Sequence, residues 1–286
     1  MATEIKTVAI AGAGTMGQGI AISCALAGYT TKVFDVNEQA CGRALDLVAK
    51  ILNQLLEKGK ITSTASAEAL SKISISTNPN QLKADLVIEA IAENLLIKQN
   101  LFKQVEALNT DKTILATNTS SLSVSKIAAG LNNPKRCAGL HFFNPAHIMK
   151  LVEVVSGTQT EPKVLATLKI FAKSIGKVSV DAKDSPGFIV NRVARHFYVE
   201  SLLAVENGAA TFETIDALAR ASGFKMGPFE LMDLIGIDVN YAVTESVYEG
   251  FNKATKFKPS PIQKAKIDEG ELGRKSGKGF YAYSQK

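Results

Sequence analysis

The run Gly12-Ala-Gly14-Thr-Met-Gly17 limits what this chain can fold into more than any other feature. It follows a short apolar stretch, Thr7-Val-Ala-Ile-Ala11, which reads as a strand buried on both faces. A helix follows to about Ala27 and closes at Gly28. The next strand, 31–35, ends in Asp35, 35−12=23 residues after the first glycine. Strand, glycine turn, helix, strand and acid in that order form the dinucleotide-binding pattern. Gly12 permits the tight turn, Gly14 lets the backbone approach a pyrophosphate, and Gly17 lets the helix pack on the strand. The helix N-terminus, with Thr15 and Met16 in its first turn, then holds the phosphates. Asp35 would accept hydrogen bonds from the ribose hydroxyls and repel a 2′-phosphate, which favours NAD over NADP. The competing reading is a glycine turn with no ligand.

Beyond that motif, strand patterns recur at 73–76, 86–90, 113–116, 137–141, 151–155 and 177–180, with helical patterns between most of them. A long helix over 38–58 carries Ala44, Leu47, Val48, Ile51, Leu52 and Leu55 at helical spacing, and a shorter one lies near 66–71. Alternating strand and helix predict an α/β fold, a Rossmann-type, doubly wound, mostly parallel sheet with helices on both faces. The pattern changes at Asp184-Ser-Pro-Gly187, after which only helices are expected. One spans 187–207, with Phe188, Ile189, Val193, Phe197 and Leu203 on an apolar face. Another runs from Thr211 to Gly223, and a third starts at Pro228 and breaks near Gly236. Ser260-Pro261 reads as an N-cap with proline in the first turn. The tail over 273–281 is too glycine-rich for a helix. The expected domains are therefore 1–184, binding NAD, and 185–286, all-helical. In the second, Phe197, Tyr198 and Leu202, then Phe229, Leu231 and Leu234, put apolar residues on more than one helix face. Such helices are buried from several sides, within the domain or against a partner, and a two-fold homodimer is the expectation. The alternative is that these residues pack on the first domain.

Composition excludes other classes. At 286 residues and 46% apolar, the chain has room for two cores at the usual ~150 residues per domain. A net charge of +6 is too mild to imply nucleic acid. Cys24, Cys41 and Cys137 have no metal spacing and are odd in number, so the expectation is a reducing cytoplasm, no disulfides and no metal. Residues 7–31 carry no charge, longer than the ~18 apolar residues that suggest a membrane span. Yet they hold five glycines and lack a basic head, so a strand, loop and packed helix are expected and no membrane.

Of the three histidines, His141 ends an apolar strand in Gly139-Leu-His-Phe-Phe-Asn-Pro145, on the side where open α/β sheets bind ligands. Glu153 sits among four aliphatic residues in Leu151-Val-Glu-Val-Val155, where burying a carboxylate is expensive without a partner. An imidazole on a neighbouring strand would be such a partner, making a base held in one tautomer by an acid. The plainer readings are a core histidine and a strand with one face in solvent. His147 and His196 lack such a context and read as surface or packing residues.

These stretches resemble the short-chain L-3-hydroxyacyl-CoA dehydrogenase family, of the bacterial 3-hydroxybutyryl-CoA dehydrogenase type. The resemblance is carried by 12–17, Glu89-Ala-Ile-Ala-Glu-Asn94, Thr117-Asn-Thr-Ser-Ser-Leu122, His141-Phe-Phe-Asn-Pro145, Lys150-Leu-Val-Glu-Val-Val155 and Asp184-Ser-Pro-Gly-Phe-Ile-Val-Asn-Arg192. Met226-Gly-Pro-Phe-Glu-Leu231 and Gly273-Arg-Lys-Ser-Gly-Lys-Gly-Phe-Tyr281 extend it across nearly the whole chain. It implies NAD-dependent interconversion of (S)-3-hydroxyacyl-CoA and 3-oxoacyl-CoA, with acetoacetyl-CoA as a test substrate and a place in fatty acid or butanoate metabolism. It makes His141 the base and Glu153 its partner. It places Ser120 and Asn191 against the substrate, and Glu93, Lys98 and Asn118 beside the nicotinamide half of NAD. It also directs the helical hairpin after the second strand towards CoA, where Lys50, Lys58 and Lys60 would meet phosphates; the plainer reading is a solvated lysine face. It implies dimerisation through the second domain. Two rivals are a two-domain dehydrogenase of small hydroxy acids, which would place a lysine where this chain has Asn191 and Arg192, and a non-catalytic NAD-binding protein.

Overall fold

The computed structural model describes residues 4–284. The chain divides into two compact units, Met1–Asp184 and Ser185–Lys286. In the first, β1 (Thr7–Ala11), α1 (Thr15–Leu26) and β2 (Thr30–Phe34) lead to α2 (Glu38–Glu57), α3 (Ser63–Ser71) and β3 (Ile73–Ser76). Then come β4 (Leu86–Glu89), α4 (Leu95–Leu108), β5 (Ile114–Thr117), α5 (Val124–Ala128) and β6 (Cys137–Phe142). The unit ends with β7 (Leu151–Ser156), α6 (Pro162–Ser174) and β8 (Val178–Lys183).

All eight strands form one sheet in the order β3-β2-β1-β4-β5-β6-β7-β8, parallel except between β6 and β7. Both faces are covered, as the apolar strands require. Along β1, Val8 and Ile10 enter one core while Ala9 and Ala11 enter the other. The strand order reverses between β1 and β4, which opens a crevice at the carboxyl ends of the strands. There Ala11, Glu89, Thr117 and Gly139 share one row of the register, and His141 lies two residues further along β6.

Several boundaries differ from the sequence reading, each for a physical reason. Helix α3 starts at Ser63, not near 66, because the Thr62 hydroxyl caps it by accepting the Ala65 N–H at 3.1 Å. Strand β8 continues to Lys183 past its polar residues because it pairs with β7 along its whole length. Leu47 is 42% exposed and lies off the buried stripe of α2, which is Cys41, Ala44, Val48 and Leu52. The charge-free stretch 7–31 folds as β1, the glycine turn, α1 and the start of β2, and no helix among the described residues is long and apolar enough to cross a membrane.

The second unit is α7 (Val190–Glu206), α8 (Phe212–Ala221), α9 (Pro228–Ile235), α10 (Ile237–Gly250) and α11 (Pro261–Asp268). Helix α7 begins later than residue 187 because Gly187 (φ +70°) and Phe188 (φ +47°) take left-handed conformations first. Tyr198, Leu202, Phe229, Met232, Ile237 and Phe280 form its core, with Phe197 and Leu231 packed against it. The apolar faces read from the sequence are thus largely used inside this unit, whereas Leu234 is 49% exposed. The glycine-rich tail docks on Asp233, a buried carboxylate that accepts the backbone N–H groups of Phe280 and Tyr281 at 3.0 Å. A Cβ at Gly279 would lie 2.1 Å from Asp233 Oδ1, so only glycine fits there.

Candidate active site

The glycine turn is built as its residues dictate. Gly12 has φ +111°, and a Cβ there would lie 2.5 Å from the Ala90 carbonyl oxygen; one at Gly17 would lie 1.9 Å from that of Gly12. Both positions exclude any side chain. At Gly14 an added Cβ would meet nothing within 4 Å, so a side chain there would occupy the space in front of α1. Gly14 is the N-cap of α1 and supplies no side-chain cap, which leaves the first turn, with exposed Thr15 and half-buried Met16, open to an anion. Beside it lies a cavity of about 530 Å³ lined by Gly12, Gly14, Asp35, Val36, Ala90, Ile97 and Gln104 among others. Asp35 is held there: its Oδ2 accepts the Ala13 N–H at 2.8 Å and its Oδ1 the Asn37 N–H at 3.0 Å. Lys32 donates to the Lys83 carbonyl and Asn37 caps α2, so both are committed away from a 2′-phosphate. An open anion seat, a cavity and an anchored acid at its rim fit a dinucleotide without a 2′-phosphate.

Across the sheet, His141 and Glu153 are register partners on the antiparallel pair β6–β7. His141 Nδ1 and Glu153 Oε2 are 2.7 Å apart, with 5% and 0% of these residues exposed. A carboxylate only accepts, so the shared proton belongs to Nδ1 and the ring's basic lone pair is on Nε2. The Phe143 ring packs on the imidazole with centroids 4.5 Å apart. Asn118, just past β5, accepts the Phe142 N–H on its side-chain oxygen at 2.8 Å and so ties the β5 loop to the strand carrying His141.

Glu93 organises that loop. Its carboxylate accepts the Thr119 hydroxyl, the Ser120 N–H at 3.0 Å and the Ser121 N–H at 3.2 Å. Ser120 Oγ lies 3.5 Å from the same oxygen. Burial pushes the Glu93 carboxyl up, but the Lys98 ammonium and these donors outweigh it and hold it below its ordinary value. Lys98 is 1% exposed, with Glu93 Oε2 3.1 Å from its Nζ and Glu89 on its other side.

The structure therefore gathers His141, Glu153, Asn118, Ser120, Glu93 and Lys98 at one edge of the first unit. Asn191 belongs to the second unit, in the first turn of α7, where its carbonyl accepts Arg195 Nε at 3.2 Å. Lys50 lies exposed on α2 and Lys58 exposed at its C-cap, with Lys60 just beyond; nothing in the first unit's geometry draws them to this edge. His147 is half-buried in the loop after β6, and His196 packs on Phe257. The sequence reading gave Glu89 no role, although a lone carboxylate closing the apolar run Leu86-Val-Ile-Glu89 carries the same signal that singled out Glu153.

Residues 7–185 match the family described as 3-hydroxyacyl-CoA dehydrogenase, NAD binding domain, and residues 187–283 match 3-hydroxyacyl-CoA dehydrogenase, C-terminal domain. The 3-hydroxyadipyl-CoA dehydrogenase of Escherichia coli K12 is 46% identical over 98% of this chain, which spans 60% of that protein's length. The 3-hydroxybutyryl-CoA dehydrogenase of Clostridioides difficile is 41% identical over 97% of this chain and 99% of its own. The crystal structure of (S)-3-hydroxybutyryl-CoA dehydrogenase from Ralstonia eutropha superposes with a TM-score of 0.93 at 38% identity, covering 99% of this chain and all of that one. The fold, the glycine turn and both halves of the chain lead to one conclusion: this chain belongs to the 3-hydroxyacyl-CoA dehydrogenase family, an oxidoreductase with NAD as its cofactor.

Proposed function

We propose that the chain interconverts (S)-3-hydroxyacyl-CoA and 3-oxoacyl-CoA, with 3-hydroxybutyryl-CoA as its substrate class, in fatty acid or butanoate metabolism. NAD supplies the acceptor for the hydride that leaves C3. His141 Nε2 takes the C3 hydroxyl proton, and Glu153 stabilises the imidazolium that forms. In the reductive direction the imidazolium returns that proton to the carbonyl oxygen. Ser120 and Asn191 keep the substrate-orienting roles that the resemblance implies. The observation that carries this reading is the 2.7 Å contact between His141 and Glu153, two groups withdrawn from water on paired strands. Burial there serves chemistry: a carboxylate that no solvent screens acts on the imidazole at full strength. We further propose that the functional unit is a homodimer formed through the second domain.

The test is NADH oxidation with acetoacetyl-CoA beside a small keto acid. The reading expects turnover of the thioester alone. Turnover of the keto acid alone would assign the chain to the hydroxy-acid dehydrogenases, and turnover of neither would leave an NAD-binding protein.

A further inference from the structure

Glu89 closes β4 at the centre of the crevice edge, in register with Ala11 before the glycine turn and with Thr117 at the end of β5. It is 0% exposed, yet it takes no part in the proton transfer described above. A carboxylate so placed must be fully satisfied. Oε1 accepts the Ile91 N–H at 2.8 Å and the Lys98 ammonium. Oε2 accepts the Thr117 hydroxyl at 2.7 Å.

These bonds close into a ring. With its proton given to Glu89, the Thr117 oxygen accepts the Thr119 N–H at 3.2 Å. The Thr119 hydroxyl donates to Glu93, and Lys98 spans Glu93 and Glu89. Two acids, one cation and two hydroxyls therefore form a circuit in which both hydroxyl protons are directed by acceptor-only carboxylates. The segment enclosed by this circuit holds Asn118, whose oxygen accepts the Phe142 N–H next to His141, and it leads into Ser120.

We propose that Glu89 is a positioning residue, its buried carboxylate holding Lys98 against Glu93 and so fixing Asn118 and Ser120 beside the His141 strand. The proposal rests on the reading of His141 and Glu153 as the reacting pair. In Glu89→Gln the amide oxygen can still accept from Ile91 and Lys98, but its NH2 can only donate towards Thr117, whose hydroxyl proton loses its acceptor, and Lys98 is left with one acid. Thr117→Val is nearly isosteric and carries no charge, and it opens the circuit on the opposite side.

Both variants and His141→Ala are compared for fold by circular dichroism, for NADH Kd by fluorescence, and for kcat and KM with acetoacetyl-CoA. Misplacement of a site loop costs on the order of 10- to 100-fold in rate. The expected result for Glu89→Gln and Thr117→Val is a kcat loss of that order in protein whose circular dichroism and thermal midpoint match the wild type. A purely structural ring would instead lower the thermal midpoint and leave kcat of the folded enzyme alone. Wild-type kcat in folded Thr117→Val, with His141→Ala inactive, overturns the role of Glu89 and leaves the His141 reading standing. Full activity in His141→Ala overturns both. Should Glu89→Gln fail to fold, Thr117→Val decides the matter.

Discussion

At the scale of single residues, a polar group buried in an apolar strand has to be accounted for by its partner. Glu153 was readable in the sequence on that ground, because it interrupts an aliphatic run, and His141 by its place at the crevice end of an apolar strand. The pairing was expected as an imidazole on a neighbouring strand, and the antiparallel register of β6 and β7 sets the two residues opposite each other. Removing the imidazole in His141→Ala is expected to cut kcat by ~10²–10⁴ while NADH still binds. Glu153→Gln should also lose most of its activity, since an amide orients the ring without stabilising its charge; a near-normal rate would reduce Glu153 to a packing role. Asp35→Ala should narrow the NAD preference measured as kcat/KM, because it removes the anchored charge at the rim of the cavity beside the glycine turn. A wild-type enzyme that favours NADP would show that Asp35 does not meet the cofactor. Glu93 adds a pH dependence. Its carboxyl is held below its ordinary 4.5, so its contribution to stability is complete above that pH and is lost as pH falls through the lowered value. Below pH 4.5 the thermal midpoint of the wild type should therefore fall more steeply than that of Glu93→Gln. Parallel curves would remove Glu93 from the acid response. Glu89 carried the same signal as Glu153, but its partners Lys98 and Thr117 lie on two other elements, so its role became visible only in the fold.

At the scale of elements, periodicity placed β1 at 7–11 and β3 at 73–76, where the structure has them. It failed where polar residues carry regular structure. The polar, Ser- and Thr-rich stretch 62–68 reads as a lead-in to a helix near 66–71, but the hydroxyls that disfavour a helix interior also cap it, and Thr62 starts α3 at Ser63. The strand read at 177–180 runs on through polar residues to Lys183, since an edge strand needs only one neighbour. The tail shows the same limit more sharply. Its glycines exclude a helix on sequence grounds, but their purpose appears only at Asp233, whose carboxylate and backbone leave no room for a Cβ at Gly273 or Gly279. Tyr281 from this tail donates its hydroxyl to Asp216 at 2.8 Å, and Asp216 also accepts the Phe229 and Glu230 N–H groups that begin α9. Tyr281→Phe keeps the ring and removes one bond to a buried acid. It should cost about 1.5–3 kcal/mol in denaturant unfolding. An unchanged midpoint would mean that Asp216 is satisfied without the tail.

At the scale of the whole molecule, the chain's two-part plan was legible because the alternation of strand and helix stops at one place, next to Asp184. What the second part is for is harder to read from sequence, since a helix apolar on several faces looks the same whether it is buried by its own domain or by another chain. The structure separates these cases residue by residue. Tyr198, Leu202 and Phe229 are consumed by the unit's own core. Val193 and Leu203 on α7, Leu234 and Ile235 on α9 and Val239 on α10 are not, being 66%, 42%, 49%, 42% and 48% exposed. Single exposed aliphatics are ordinary, but five on three helices of one small unit give a self-complementary contact its raw material. Light scattering at micromolar concentration should return twice the chain mass of 30.5 kDa, and the monomer value would sink the homodimer. Leu234→Glu then tests the surface itself. Leu234 lies outside the unit's core, so a charge there need not disturb folding, whereas two copies brought together by a two-fold axis would bury like charges against each other. The expected outcome is a folded monomer that still binds NADH through the glycine turn of the first unit. A variant that remains a dimer would move the contact away from α9.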